Sequence, residues 1–415
     1  MSQVIWLATA ALVLGALAIL PGTLGVAVLT HKLAATAAGA RLIYEQSKWV
    51  VLVSAALMVG AVYSAWQQDS LSITLAAIVV AYMGILVFGF LMHVGLLFKP
   101  VREPVFISIE QAIEKFGADE EVIGVVDAAG KPFAFITSLA RRPHVVYQPG
   151  GDDPFIMSHC ILAHSSMSYP TRGNFAKPDI LVVAVKANNM VFYEKNKRCA
   201  VVQIQNRSRQ GEINLETLPT VSIKLKTWQD LYPESPIWIR KKGWRDGFYL
   251  KLLSRADVID PASPVMIYPT VREVDQRLPM KSQVVGVQID NDACAYPASL
   301  FADVRLINDE LGGRSIVIAS AFNGDFIQVF DRALDPDRIL NFLPLEGGEG
   351  FTDTSTGSVW SPTGECLDGE LVGRQLTAIP HYNKIFWYVW GDFHENTKVY
   401  SVSPEDSDIP AEDAA

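Results

Sequence analysis

Charge is nearly absent from the first quarter of this 415-residue chain, and that constrains its fold more than any other feature. Residues 1–98 carry only Lys32, Arg41, Glu45, Lys48 and Asp69, each between or at the ends of three apolar stretches. The stretches cover about residues 4–30, interrupted only by Pro21-Gly22, then about 49–66 and about 71–98. A hydrocarbon layer about 30 Å thick takes about 20 residues of helix, so each stretch is long enough to cross it. Trp6, Trp49, Tyr63 and Trp66 lie near stretch ends, where amphipathic rings favour an interface. The sequence therefore predicts a three-helix transmembrane anchor over residues 1–98. A signal peptide fits the first stretch poorly, because no Lys or Arg precedes it and the run is too long. Pro21 is expected to kink that helix rather than end it.

Lys32, Arg41, Lys48, Lys99 and Arg102 all fall on one side of this arrangement, whereas the N-terminus and residues 67–70 have no Lys or Arg. The positive-inside rule then puts the large C-terminal region in the cytoplasm. A formal net charge of −9 and a pI of about 5.3 argue against a nucleic-acid partner held through phosphates. Four cysteines without a CxxC pair exclude a disulfide scaffold, a zinc ribbon and a clustered iron–sulfur site.

Beyond residue 98 the apolar residues come in short, branched runs separated by Gly, Pro, Asn and Asp. Val122-Ile-Gly-Val-Val, Ile180-Leu-Val-Val-Ala-Val, Ser315-Ile-Val-Ile-Ala and Ile385-Phe-Trp-Tyr-Val-Trp read as strands. Helix is expected at 108–116, opened by Ser108, with a helical turn around 297–304. The fold class is thus a membrane α-helical anchor followed by a β-rich α+β soluble region.

That region repeats itself. Val122-Ile-Gly-Val-Val-Asp recurs as Val284-Val-Gly-Val-Gln-Ile, Met190-Val-Phe-Tyr aligns with the run at Phe351-Thr-Asp-Thr, and Thr217-Leu-Pro with Ala378-Ile-Pro. Thr227-Trp228 pairs with Phe386-Trp387, and Leu231-Tyr-Pro-Glu with Phe393-His-Glu-Asn. A near-constant offset of about 160 residues, kept in order, predicts two tandem related modules at 104–240 and 265–402. A basic and aromatic linker would cover 241–264, where residues 241–245, with Trp244 and the preceding Trp238, could rest on anionic headgroups. An acidic tail over 403–415 is expected to be disordered.

Cys294-Ala-Tyr-Pro, Ile307-Asn-Asp-Glu-Leu-Gly-Gly, Thr356-Gly-Ser-Val-Trp-Ser, Thr363-Gly-Glu, Gly369-Glu-Leu-Val-Gly and Trp387…Trp390…His394-Glu-Asn-Thr-Lys-Val together resemble the bacterial and archaeal domain-of-unknown-function family 3179. The resemblance covers module 2 and, more faintly, module 1. It implies a bacterial plasma (inner) membrane protein and, because family members look exported, an extracytoplasmic domain, opposite to the charge count. The family pattern carries a Cys-Pro-Leu-Cys-Gly-type motif that could bind a soft metal or cycle as a disulfide. Module 1 has Ser158-His-Cys-Ile-Leu-Ala-His-Ser at that place, keeping one thiol, and module 2 has Ala319-Ser-Ala-Phe-Asn-Gly-Asp, with none.

Four side chains are candidates for chemistry. Cys160 with His164 and His159 could ligate copper or zinc, or pair as thiol and base. On a strand Cys160 and His164 would share a face, with His159 pointing away; a buried free thiol with satisfied histidines is the plainer alternative. His93, in the third apolar stretch, could be an intramembrane ligand with His31 as a partner, or a histidine hydrogen-bonded at a helix end. Asp392, His394 and Glu395 with His381 are expected to be split by alternating strand faces. Gly312-Gly313 and Gly347-Gly-Glu-Gly are turns without phosphate-loop spacing. With one motif eroded and the other lost, the sequence favours a non-catalytic accessory or scaffolding subunit whose partners are the bilayer and other membrane-protein subunits. A copper, zinc or redox protein using Cys160 and His164 is the alternative.

Overall fold

The computed structural model describes residues 2–23, 29–30, 32–150, 153–175, 178–208, 213–240, 243, 247, 251, 260–335 and 337–401. Most of the expected linker, with Trp244, all of the acidic tail, and His31 lie outside the described residues.

Three helices are long and apolar enough to cross a membrane: Gln3–Gly22, Ala37–Gln67 and Ile73–Met92. The regular parts are α1 (Ser2–Ile19), α2 (Ser47–Gln67) and α3 (Ile73–Met92). They pack through small residues: Ala8, Ala11, Ala61 and Ala65 are fully buried, and the Ser54 hydroxyl meets that of Tyr82 at 2.9 Å. Close backbone approach is how helices associate where no water is available to drive them together. Three expectations about this region are corrected. Pro21 ends the first α-helix instead of kinking it: a 3₁₀ turn, Leu20–Gly22, follows α1, and Thr23 is extended. The second helix starts much earlier than residue 49, at Ala37, and passes through a π-turn, Leu42–Gln46. The third stops at Met92, because His93 is extended and its Nδ1 accepts from the Gly95 amide at 3.2 Å, capping a new turn, Val94–Leu97.

The β region starts with β1 (Val105–Ile107) and helix α4 (Ile109–Phe116). Ser108 opens α4 as expected and caps it through a reciprocal bond pair with Gln111. There follow β2 (Glu121–Val126), β3 (Pro132–Ile136), β4 (Val145–Gln148), β5 (Phe155–Cys160), β6 (Ser165–Pro170), β7 (Ile180–Lys186), β8 (Asn189–Glu194), β9 (Cys199–Val202), β10 (Arg207–Ser208), β11 (Thr220–Lys224), helix α5 (Leu225–Leu231) and β12 (Ile237–Ile239). They form a five-stranded sheet β1-β12-β3-β2-β11, a hairpin sheet β4-β5-β6 and a four-stranded sheet β10-β9-β8-β7. The C-terminal half contains β13 (Gln283–Ile289), β14 (Asp292–Pro297), β15 (Leu306–Leu311), β16 (Arg314–Ala321), β17 (Phe326–Asp331), β18 (Ala333–Asp335), β19 (Arg338–Ile339), β20 (Phe342–Pro344), β21 (Phe351–Asp353), β22 (Val359–Trp360), β23 (Cys366–Asp368), β24 (His381–Phe386), helix α6 (Trp387–Phe393) and β25 (Lys398–Val399). Its sheets run β24-β13-β14-β25, β15-β16-β17 and β20-β21-β22-β23, besides the small pair β18-β19.

The two halves use one plan. In each, the last strand joins the sheet parallel to the second, β12 on β3 and β25 on β14. In each, a short helix lays a buried Trp over a glycine of the first central strand, Trp228 over Gly124 and Trp390 over Gly286. The indole donates to a hydroxyl seven residues on, Ser235 or Thr397, at 2.9 Å in both. This corrects two sequence readings. Trp228 corresponds to Trp390, not Trp387, and the run after Phe386 is helical rather than strand, since only a helical turn carries Trp390 back over Gly286.

The halves also clasp each other. The β5–β6 hairpin tip enters the C-terminal half, where the Phe386 amide and the Tyr388 hydroxyl donate to the carbonyls of Ala163 (3.0 Å) and Leu162 (2.8 Å). The β16–β17 tip enters the N-terminal half, where the Lys224 amide donates to Asp325 at 2.9 Å and Phe326 joins the core around Trp228. The apolar helices dock on the N-terminal half: Ile43, Leu97 and Phe98 share a core with Val145 and Val183, the Tyr44 hydroxyl donates to the Val183 carbonyl at 2.6 Å, and Arg142 Nε donates to that of Leu97 at 2.8 Å.

Behind this junction Phe98 stacks on His144 at 4.4 Å. Burial pushes the His144 imidazole down to about 4. The folded value lies below the unfolded one, so this stabilisation is complete above about pH 6.5 and is lost as pH falls towards 4. Acidifying from pH 7 to 5 is expected to remove about 2 kcal/mol through this residue. His144→Asn, which suits the left-handed backbone at this position (φ 71°), should flatten the dependence in chemical denaturation at the two pH values. An unchanged slope would show that His144 does not carry it.

Candidate functional site

The expected metal or redox site falls on the β5–β6 tip. Cys160 ends β5 and His164 sits in the turn, not on the same strand, with a left-handed backbone (φ 48°). The shared face expected for Cys160 and His164 therefore does not form. Instead the structure brings the two histidines together: the His159 and His164 rings lie 6.2 Å apart, nearly perpendicular. His159 Nδ1 meets the Ser166 hydroxyl at 3.0 Å, across the hairpin. His164 packs on Phe386 at 5.3 Å and turns Nε2 to Glu121 at 3.6 Å, while its Nδ1 is buried without a hydrogen bond.

Cys160 faces the other way. Its Sγ contacts the Asn188 carbonyl at 3.6 Å, in the apolar core under Tyr268 and Tyr388. Burial pushes the thiol up, and only the thiolate ligates or attacks, so this cysteine is held in its unreactive form. Burial, reinforced by His164, His144 and Arg141, drives the His159 imidazole well below its ordinary range, which keeps it neutral. The arrangement suits a packed hairpin tip in which His159 is hydrogen-bonded to Ser166 and His164 packs beside it. Among the described residues no three His, Cys, Asp or Glu side chains are placed to hold one metal ion.

The other candidates are dispersed. His93 lies with its ring edge-on to Tyr44 at 5.4 Å and against Gly22, where an added Cβ would come within 2.6 Å of Nε2. It acts as a wedge and cap where α1 and α3 end. Asp392 accepts from the Val271 and Arg272 amides at 2.8 and 2.9 Å, and Glu395 pairs with Arg272 at 2.9 Å. His394 stacks on Trp390 at 3.8 Å and reaches Gln288, whereas His381 Nδ1 is bonded at the Ile379 carbonyl. Cys199, Cys294 and Cys366 are buried free thiols.

Sequence reasoning missed the polar residues that brace the tip. The Gln203 carboxamide donates to Ser158 Oγ at 3.0 Å and accepts from Ser165 Oγ at 2.8 Å and from Asn189 at 3.2 Å, all buried. Their only signal is a Gln and an Asn inside otherwise apolar strand runs, which is not a motif.

Three apolar helices joined to a β region of clasped halves define a helix-anchored β protein without an assembled catalytic constellation among the described residues. The chain belongs to the family described as protein of unknown function (DUF3179), whose model matches residues 99–397. Neither a curated protein nor a solved structure matches it.

Proposed function

We propose that this is a membrane-anchored accessory or scaffolding subunit of a plasma (inner) membrane protein complex, built on two tandem related modules at 104–240 and 265–402. The observation that carries the reading is the use made of the two hairpin tips. At the places where the family motif would present thiols, the β5–β6 tip is buried in the opposite half and the partly exposed β16–β17 tip packs against the half opposite its own, held there by Ala163, Leu162 and Asp325. Groups that hold two modules together are not exposed for turnover, and the result is a rigid body fixed to its helices through Tyr44 and Arg142. The shared strand order and the Gly–Trp pairs support the duplication.

The membrane contact is supported by hydropathies of 2.3, 1.8 and 2.5 in the three helices. Their outward faces, including Val59, Val80 and Phe88, are exposed and suit lipid or helices of other subunits. Native mass spectrometry of gently extracted protein, with elemental analysis of the same sample, tests the proposal. Partner subunits without stoichiometric metal are expected. A lone chain carrying one copper or zinc would overturn it and favour the alternative centred on Cys160 and His164.

A further inference from the structure

A cavity of about 420 Å³ opens where β2, β11 and α5 face β17 and the segment before β24. Gly124, Val221 and Trp228 form one wall; Phe326, Gln328 and Phe330 form the opposite one. The volume is that of a site for a small organic group.

The C-terminal half fills the matching space from within. Tyr382 stands beside Gly286 as Val221 stands beside Gly124. Its ring lies 6.0 Å from Trp390, and its hydroxyl donates to the Gln203 carbonyl at 3.1 Å. The N-terminal half keeps the glycine and the tryptophan but has Val221 where the phenol would be. A second observation points to an occupant. Gln328 is only 5% exposed and lines this cleft, yet its carboxamide makes no hydrogen bond to the described residues. The amide atoms face the open cleft, where the hydroxyl of an occupant can replace water as their partner.

We infer that this cleft binds a phenolic ring from outside the chain, seated beside Trp228 as Tyr382 is beside Trp390, with its hydroxyl on the Gln328 carboxamide. The ring belongs either to a free phenol or to a tyrosine side chain of a partner. The site stands whether or not the protein is a scaffold.

Saturation-transfer NMR on the full-length protein in detergent, with p-cresol and N-acetyl-tyrosinamide as probes, tests it. Saturable binding to the wild type is expected, at least tenfold weaker in Val221→Tyr, which copies the internal plug. Gln328→Met copies Met167, the residue at the matching register of β6, and should weaken binding about tenfold by removing one hydrogen bond. Binding of p-cresol alone marks a free phenol; binding of both probes marks a tyrosine side chain. Thermal unfolding shows whether Val221→Tyr is folded, and Gln328→Met decides if it is not. No saturable binding to the wild type, or equal binding to the wild type and the folded variants, would overturn the inference.

Discussion

Gly286→Ala is expected to destabilise the protein by about 3 kcal/mol, and Gly124→Ala by a similar amount. A Cβ built on Gly286 would sit 2.4 Å from the Trp390 ring, and one on Gly124 would sit 2.3 Å from Trp228. Real carbon contacts are about 3.5–4.0 Å, so something must move by more than an ångström. Neither indole can. Both are fully buried, and each is tied by its Nε1 to a hydroxyl at 2.9 Å. Neither glycine has positive φ, so backbone strain contributes nothing and the cost is steric. Gly60→Ala is the control: nothing lies within 4 Å of its added Cβ, and helix propensity mildly favours alanine. Chemical unfolding of the full-length protein, followed by tryptophan fluorescence, measures all three. Wild-type stability in Gly286→Ala would mean that Trp390 does not rest on that glycine.

These pairs show what was legible in the sequence. The offset of about 160 residues was readable because Gly124 and Gly286 sit in similar apolar runs, and in the structure each lies under a tryptophan. The correct partner for Trp228 was not. Trp387 and Trp390 sit three residues apart, and only the helix over Trp387–Phe393 decides which ring reaches the sheet. The apolar helices were readable for the opposite reason, since a run without charge admits few folds. Their ends were not: His93 ends α3 by accepting the Gly95 amide on its own ring, and Pro21 ends α1. The shared face expected of Cys160 and His164 did not form because sequence spacing fixes a face only on a regular strand. At His164 the chain is already turning with a left-handed backbone, and that sends Cys160 and His164 in different directions.

Thr356-Gly-Ser-Val-Trp, one of the segments that carry the resemblance, has a structural explanation, and Asp353→Ala is expected to cost about 3 kcal/mol through it. Asp353 is 1% exposed. Its Oδ1 accepts from the Ser355 amide at 3.1 Å and the Thr356 amide at 2.7 Å, and its Oδ2 accepts from the Thr356 hydroxyl at 2.7 Å and the Trp360 indole at 3.3 Å. Ser358 extends the ring of bonds, meeting the Thr356 hydroxyl at 2.6 Å and accepting from the Leu371 amide at 3.2 Å. Gly357 supplies the positive φ of 69° that closes the loop. Truncating the carboxylate would leave several buried donors unpaired, which costs more than losing one exchangeable bond. Asp353→Asn keeps the shape but turns an NH₂ group towards donors, so a somewhat smaller loss is expected. The pH dependence separates this from simple packing. Burial alone would raise the carboxyl, but the Thr356 hydroxyl and amide, the Trp360 indole and the Ser355 amide together hold it below its ordinary value. Its folded pKa is therefore depressed, and the stabilisation is complete above about pH 4 and is lost as pH falls through the folded value. The gap between the denaturation midpoints of wild type and Asp353→Ala should be wide at pH 7 and narrow as pH falls below about 4. A gap that stayed constant down to pH 3 would mean that the carboxylate charge contributes nothing to holding the loop.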